Sequence, residues 1–67
     1  MNFEIGETHQ IQRGPGKPYK AHVLAIVDCD QVVIKWYGRH KQRWHYEVVR
    51  AGLLAIEIEY AKETSNA

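Results

Sequence analysis

The sequence is poor in cysteine, since Cys29 is the only one among its 67 residues. A single cysteine excludes a disulfide within one chain, which is the usual staple of small extracellular domains. The sequence also lacks any apolar run near the roughly 20 residues that span a bilayer. Its start, MNFEIGETHQ, is too polar and acidic for a signal peptide. These absences predict a cytoplasmic protein that has no membrane segment.

The histidines and the cysteine lack the spacing of a metal or catalytic site. Structural zinc needs four convergent ligands at short, recurrent spacings. The closest pair, His40 and His45, spans a predicted hairpin, and Cys29 lies at the other end of the strands. A catalytic cysteine would need a base within hydrogen-bond reach, whereas Cys29 in a two-residue turn is expected to be a solvent-accessible bystander. The sequence therefore predicts no metal, no cofactor and no enzymatic activity.

The length and composition allow one small domain. Hydrophobic residues make up 45% of the chain and charged residues 25%, which is typical of a globular rather than a disordered protein. We expect a single domain over residues 1–67, with an ordered core over about 5–60. A core of this size contributes only about 3–5 kcal/mol, so chains this short often gain stability by oligomerisation.

Turn residues divide the chain into candidate strands. The Gly/Pro-rich residues 14–18 break regular structure, because prolines lack a backbone donor and glycines free the backbone. A first strand is predicted over 7–12 and a long second strand over 19–28. Residues 28–31 predict a tight turn, because Asp bonds to its own local backbone. A further turn around 38–42 predicts the next hairpin.

Period-two alternation then gathers the apolar side chains of three strands on one face. With Cys29 and Asp30 as the loop residues, the two tryptophans, Trp36 and Trp44, are predicted to be buried neighbours. The predicted core of the three strands consists of Val23, Ala25, Val27, Val32, Ile34, Trp36, Trp44, Tyr46 and Val48.

The last part of the chain admits two structures. Ile56, Ile58 and Tyr60 alternate with two glutamates, which suits a strand with one wet face after a short helical turn near 50–54. The Ala, Leu, Glu and Lys content instead favours a helix from 51 to 63. We expect the strand, which makes the predicted fold an all-β, five-stranded barrel with one short helical turn before the last strand.

The strand pattern resembles that of SH3-like barrels, and most of all their Tudor-type members. The resemblance rests on Ile5-Gly6-Glu7 and on the segments RGPGKPY, YKAHVLAIV, VVIKWYG and WHYEVV, followed by AGLL. It implies a small adaptor domain that binds peptides, methylated side chains or nucleic acid, although fold alone does not give function.

Two ligand classes that the resemblance brings in fit this sequence poorly. An aromatic cage for a methylated cation would draw on Tyr19 and Tyr37, but the neighbours of Tyr37 are Lys35 and Arg43 rather than an acid. The plasmid-borne type II dihydrofolate reductases are similar short barrels, in which four copies enclose one active pore. Their Val-Gln-Ile-Tyr pore motif is not reproduced by residues 33–37, which carry no glutamine.

Charge and aromaticity instead point to a polyanion. Residues 35–50 carry five Lys or Arg and one carboxylate, a local net charge of +4. Cations contact phosphates, and exposed rings stack on unpaired bases. We therefore predict a non-enzymatic module that binds single-stranded nucleic acid, with an ordinary solvated strand surface as the alternative. The predicted contact residues are Lys35, Tyr37, Arg39, Lys41, Arg43 and His45.

A protein partner is the alternative class of ligand. If Val23, Ala25 and Val27 face inward, the apolar residues between them in the second strand face water and form an exposed patch. An exposed apolar patch is unusual for a monomer. We expect it to be covered by another chain, most simply in a homo-oligomer, unless a bulge folds the strand inward. The predicted interface residues are Leu24, Ile26 and Val33.

Overall fold

The computed structural model describes residues 3–65, which form a four-stranded antiparallel sheet and one helix. The strands lie in the order β1-β2-β3-β4, so each pairs with its neighbour in sequence. The prediction of a mostly β domain is confirmed, but the sheet is not closed and the predicted five-stranded barrel is not observed. The elements are β1 (Thr8–Ile11), β2 (Tyr19–Ile26), β3 (Gln31–Gly38), β4 (Arg43–Arg50) and α1 (Ala51–Ser65).

The helix α1 replaces the predicted fifth strand, so the expectation of only a short helical turn is wrong. Leu54, Ile58 and Ala61 are buried, whereas Ile56 and Tyr60 are about half exposed. This spacing of four and three residues follows one face of a helix and contradicts the period of two that a strand would show. The first turn is fixed to the β2–β3 loop because the Ala51 N–H donates to the Asp30 carbonyl at 2.7 Å.

The β2–β3 connection forms where the sequence predicts it, but with a different register. Asp28 Oδ1 accepts hydrogen bonds from the N–H groups of Asp30 at 2.8 Å and Gln31 at 2.9 Å, as in an Asx turn. The loop is longer than predicted, and Ile26 rather than Val27 pairs with Val32. A register shift between Val23 and Ala25 marks a bulge in β2, which resets the alternation of its side chains.

The β3–β4 pairing is displaced by one residue from the predicted register. Trp36 lies opposite His45, and Trp44 lies opposite Tyr37. Because the period of a strand is two, this displacement moves Trp44, Tyr46 and Val48 to the other face of the sheet. The prediction that these three residues belong to the core is therefore wrong, and the two tryptophans are not buried neighbours.

Gly38 explains the displacement. It belongs to β3 rather than to the turn, and a Cβ atom on it would lie 2.5 Å from Nε2 of His45. The His45 ring occupies this space and stacks on Trp36, with ring centroids 4.6 Å apart. The glycine is thus required for close approach across the strands, and the loop that follows contains only residues 39–42.

The hydrophobic core lies between one face of the sheet and α1. Of the predicted core, Val23, Val32 and Ile34 are buried and Trp36 is half buried against them, whereas Val27 is exposed. The side of the sheet that carries α1 is called the inner face, and the opposite side the outer face. The buried residues are Phe3, Ile11, Ala21, Val23, Val32, Ile34, Leu54, Ile58 and Ala61.

A partly buried ion cluster ties α1 to the sheet. Arg13, which follows β1, donates to Glu57 of α1 at 2.5 and 3.2 Å and forms an ion pair with Glu47 of β4. Desolvation by burial lowers the pKa of Arg13, but hydrogen bonds and charge from Glu57 and Glu47 more than offset it, so the pKa is raised. The guanidinium also lies 5.4 Å from the centroid of the Trp36 ring.

Candidate functional site

The outer face of the sheet is not covered by any described element, because α1 packs on the inner face. The pairing of β2 with β3 places His22 opposite Lys35, and that of β3 with β4 places Lys35 opposite Tyr46. Lys20 and Tyr37 share this face by alternation. No Asp or Glu lies on this face in the four described strands, because the one acidic strand residue, Glu47, points inward to Arg13.

Aromatic side chains cluster at the end of the outer face near the β3–β4 hairpin. Trp44 and Tyr37 pack edge to face, with ring centroids 5.5 Å apart. His22 approaches Trp44 from the other side at 5.7 Å. Trp44 and Tyr37 nevertheless remain 43% and 42% exposed, so each ring presents surface to solvent. We call Tyr37 and Trp44, with Lys20, His22 and Lys35, the aromatic platform.

Cations lie within the aromatic platform and beside it. Nζ of Lys35 lies 4.9 Å from the centroid of the Trp44 ring, in a cation–π contact that orders the ammonium group over the platform. A shallow depression of about 290 Å³ is lined by Pro18, Lys20, His22, Tyr37, Arg39 and Trp44. The rings of Tyr37 and Trp44 and the cations of Lys20 and Arg39 therefore line one open depression, on a face without carboxylates.

Arg39 stabilises the Gly/Pro-rich loop beside this depression. Its guanidinium donates to the carbonyls of Lys17 at 2.8 Å and Pro18 at 3.2 Å, and lies 4.2 Å from the centroid of the Tyr19 ring. It thereby holds the Gly/Pro-rich loop against the β3–β4 turn. Lys41 and Arg43 are exposed at the same end, and within residues 3–65 neither forms an ion pair.

The structure divides the predicted nucleic-acid contact residues between two faces. Lys35 and Tyr37 lie on the outer face as expected. His45 stacks on Trp36, which places it on the inner face, and Arg43 shares that face by alternation. The expectation that Lys35, Tyr37, Arg43 and His45 share one face is wrong because it depended on the register that Gly38 shifts.

Trp44 is the residue that sequence reasoning missed. It was predicted to be in the core, yet it forms the centre of the aromatic platform. A one-residue change in hairpin length moves it from one face of the sheet to the other. The glycine at position 38 was the available signal, because glycine in a strand often marks close approach of another group.

The predicted oligomer interface is not one patch. Val33 lies opposite Ala25 and Val48 on the outer face. Ile26 lies opposite Val32 and so belongs to the other face, while Leu24 lies at the bulge. A bulge is present in β2, but it does not fold these residues inward, since Leu24 and Ile26 remain 37% and 45% exposed. It places Ile26 and Val33 on opposite faces of the sheet.

A second aromatic cluster lies at the hairpin end of the inner face. Tyr19 packs edge to face on Trp36 at 4.9 Å, and His45 stacks on the same ring.

Cys29 is exposed in the β2–β3 loop, far along the sheet from these rings. Among the described residues, no three His, Cys, Asp or Glu side chains converge as metal ligands. No helix within residues 3–65 is long and apolar enough to cross a membrane.

Comparison of the chain with protein-family models, with curated proteins and with solved structures finds no match. The resemblance to Tudor-type domains therefore stays a prediction from the strand pattern.

Proposed function

We propose that the protein is a non-enzymatic binding module for single-stranded nucleic acid, and that the aromatic platform is its contact surface. The observation that carries the proposal is the half-exposed Trp44–Tyr37 pair, set among cations on a sheet face without carboxylates. Rings stack on bases of any sequence, and cations neutralise the phosphates between them. The protein should therefore bind single strands without a strong sequence preference.

The geometry favours unpaired bases over a duplex. Trp44 and Tyr37 present ring surface on an open, shallow face, which an unstacked base can reach. In a duplex the base faces are already stacked on each other, so the rings could meet only the backbone and the groove edges. Lys20 and Lys35 on the face, Arg39 in the depression and Lys41 in the hairpin loop would supply the cations for phosphate contacts along the strand.

The affinity for single-stranded nucleic acid should fall as the salt concentration rises. If these four cations each neutralise one phosphate, the slope of log affinity against log salt is about −0.7 per phosphate, or about −2.8 in total. A rise from about 50 to about 200 mM salt then weakens binding roughly 50-fold. Fluorescence anisotropy of a labelled oligothymidine of about 12 nucleotides measures this directly.

Substitution of Trp44 separates stacking from charge. Trp44→Ala removes one stacking surface worth about 1–3 kcal/mol, so affinity should fall by roughly 5- to 150-fold. Trp44→Phe keeps a ring at the same position and should retain most of the affinity. Equal losses in the two variants would show that the ring does not stack on a base.

Charge variants locate the phosphate contacts. Lys35→Ala should weaken binding and reduce the salt slope by about 0.7. The matched control is Lys62→Ala, because Lys62 lies on α1 and pairs with Glu59 at 3.4 Å, away from the outer face. If wild-type protein does not bind single-stranded oligonucleotides at low salt, or if both lysine variants lose affinity equally, the proposal is wrong.

A further inference from the structure

An apolar groove runs along the free edge of β4, between that strand and α1. Its volume is about 540 Å³. On α1, Leu53 and Ile56 are 58% and 48% exposed, although Leu54 between them is fully buried. Val48 on the strand is similarly exposed. Tyr60 lines the groove one turn further along the helix, and the ion pair of Arg13 with Glu57 closes its wall.

The strand beside the groove is a long edge strand. Within residues 3–65, β4 pairs only with β3, although it is eight residues long. Edge strands are usually shortened, covered, bulged or marked by Pro or charged side chains, because their free backbone groups recruit other strands. β4 is neither short nor bulged and contains no Pro or Lys; its charged residues are Arg43 and Arg50 at its two ends and Glu47, which pairs with Arg13. The other edge, β1, has four residues and is followed at once by a bond from the Gln12 N–H to the Glu57 carbonyl of α1.

We infer that the occupant of this edge is a second copy of the chain, which joins β4 to its own equivalent in an antiparallel pair. A two-fold axis makes each copy present the same surface to the other, and the sheet becomes a continuous sheet of eight strands. The two helices then lie on the same side of that sheet and face each other across the axis. Leu53 and Ile56 of each copy meet in the groove that is open in the single chain.

The register of the strand pair follows from faces and charges. Side chains opposite one another in a strand pair lie on the same face of the sheet. Because both strands are β4, two opposite residues must both have even numbers or both have odd numbers. The two longest pairings of this kind are centred on Tyr46 and on Glu47. Centring on Glu47 sets two like carboxylates against each other, which is unfavourable. Centring on Tyr46 sets His45 opposite Glu47 of the second copy, which pairs an imidazole N–H donor with a carboxylate, and does so twice.

The Tyr46-centred register also matches the apolar residues. On the outer face it sets Trp44 opposite Val48 of the second copy, and Tyr46 opposite itself. These residues are exposed in the single chain. The aromatic platforms of the two chains would then lie on one continuous face, although the dimer does not depend on nucleic-acid binding.

Sedimentation equilibrium at roughly 100 µM chain tests the dimer. We expect twice the monomer mass of 7.8 kDa for the wild type, and the monomer mass for Ile56→Glu, which puts a charge into the groove. The control is Val27→Glu, which changes an equally exposed apolar residue of the β2–β3 loop and should stay dimeric. A wild-type monomer, or a dimer that survives Ile56→Glu, overturns the inference.

Cysteine cross-linking tests the register, in a chain whose native Cys29 is replaced by Ser. Tyr46→Cys should oxidise to a disulfide-linked dimer, because residues opposite each other in antiparallel strands have Cα atoms about 4.5–5.5 Å apart, within disulfide range. Val48→Cys should not, because its two copies would be roughly 14 Å apart at about 3.4 Å per residue. Cross-linking at position 48 but not at 46, or at neither position, contradicts this pairing.

Discussion

Replacement of Arg13 by methionine should destabilise the fold more than its position in a loop suggests. Arg13 joins the segment after β1 to Glu47 of β4 and Glu57 of α1, and its side chain is only 25% exposed. Arg13→Met keeps much of the aliphatic volume but leaves two half-buried carboxylates near each other without a cation. Removal of one partner from a fully buried ion pair costs about 3–5 kcal/mol.

The partial exposure of this cluster reduces that cost to about 2 kcal/mol, because solvent screens the remaining carboxylates. For a domain of this size, such a loss lowers the melting temperature by roughly 8–16 °C. Since the pKa of Arg13 is raised, its contribution is fully present at neutral pH and is lost only as the pH rises through that strongly alkaline pKa. Thermal and urea unfolding followed by circular dichroism measure the effect.

The matched control is Arg50→Met, because Arg50 pairs with Asp30 at 3.5 Å where both side chains are more than half exposed. A surface pair of this kind contributes about 0–1 kcal/mol. Equal, small losses in the two variants would refute the claim that the Arg13 cluster anchors α1. A double-mutant cycle with Glu57→Gln refines the test, because the second substitution should cost less once Arg13 is gone.

Two further substitutions test the packing. Leu54→Ala should lower the free energy of unfolding by about 2–5 kcal/mol in urea titrations, whereas the exposed neighbour Leu53→Ala should change it by less than about 1 kcal/mol in the monomeric protein; similar losses would contradict the helix orientation. Gly38→Ala should cost about 1–3 kcal/mol and displace His45 from Trp36, which is visible as a shift in tryptophan emission, because the added methyl overlaps the imidazole. An unchanged spectrum and stability would show that the close approach is not required.

The sequence predicts four of the strands and part of the core because those depend on local pattern. β2 begins at Tyr19 as predicted, and the turn at Asp28 forms through the side-chain bonds that make Asp a turn residue. Val23, Val32 and Ile34 share the buried face as expected. Each of these features is set by residues close together in the chain, where alternation and turn chemistry act directly.

The candidate site depends on relations that local pattern does not contain. A bulge in β2 and a one-residue change in the β3–β4 hairpin each reverse the face on which later side chains lie. Trp44 was therefore assigned to the wrong face while its neighbour Tyr37 was assigned to the correct one. The same cause divides the predicted contact residues, since it puts His45 on the inner face while Trp44 lies on the outer face.

The helix α1 was mistaken for a strand because two periodicities coincide in the same residues. Ile56, Ile58 and Tyr60 alternate with glutamates, but the buried residues are Leu54, Ile58 and Ala61, at spacings of four and three residues. Residues 53–65 contain no glycine or proline, which is long for a strand and ordinary for a helix. The absence of a helix breaker was the signal that outweighed the alternation.

Tryptophan fluorescence tests the proposed function most directly, because the only two tryptophans lie on opposite faces of the sheet. Trp36→Phe leaves Trp44 as the only emitter, and Trp44→Phe leaves Trp36. On titration with single-stranded oligothymidine at low salt, base stacking should quench Trp44 emission, and added salt should restore it. Trp36 emission in the matched variant should change little. No quenching of Trp44, or quenching of Trp36 alone, would contradict the proposal that the outer face binds the nucleic acid.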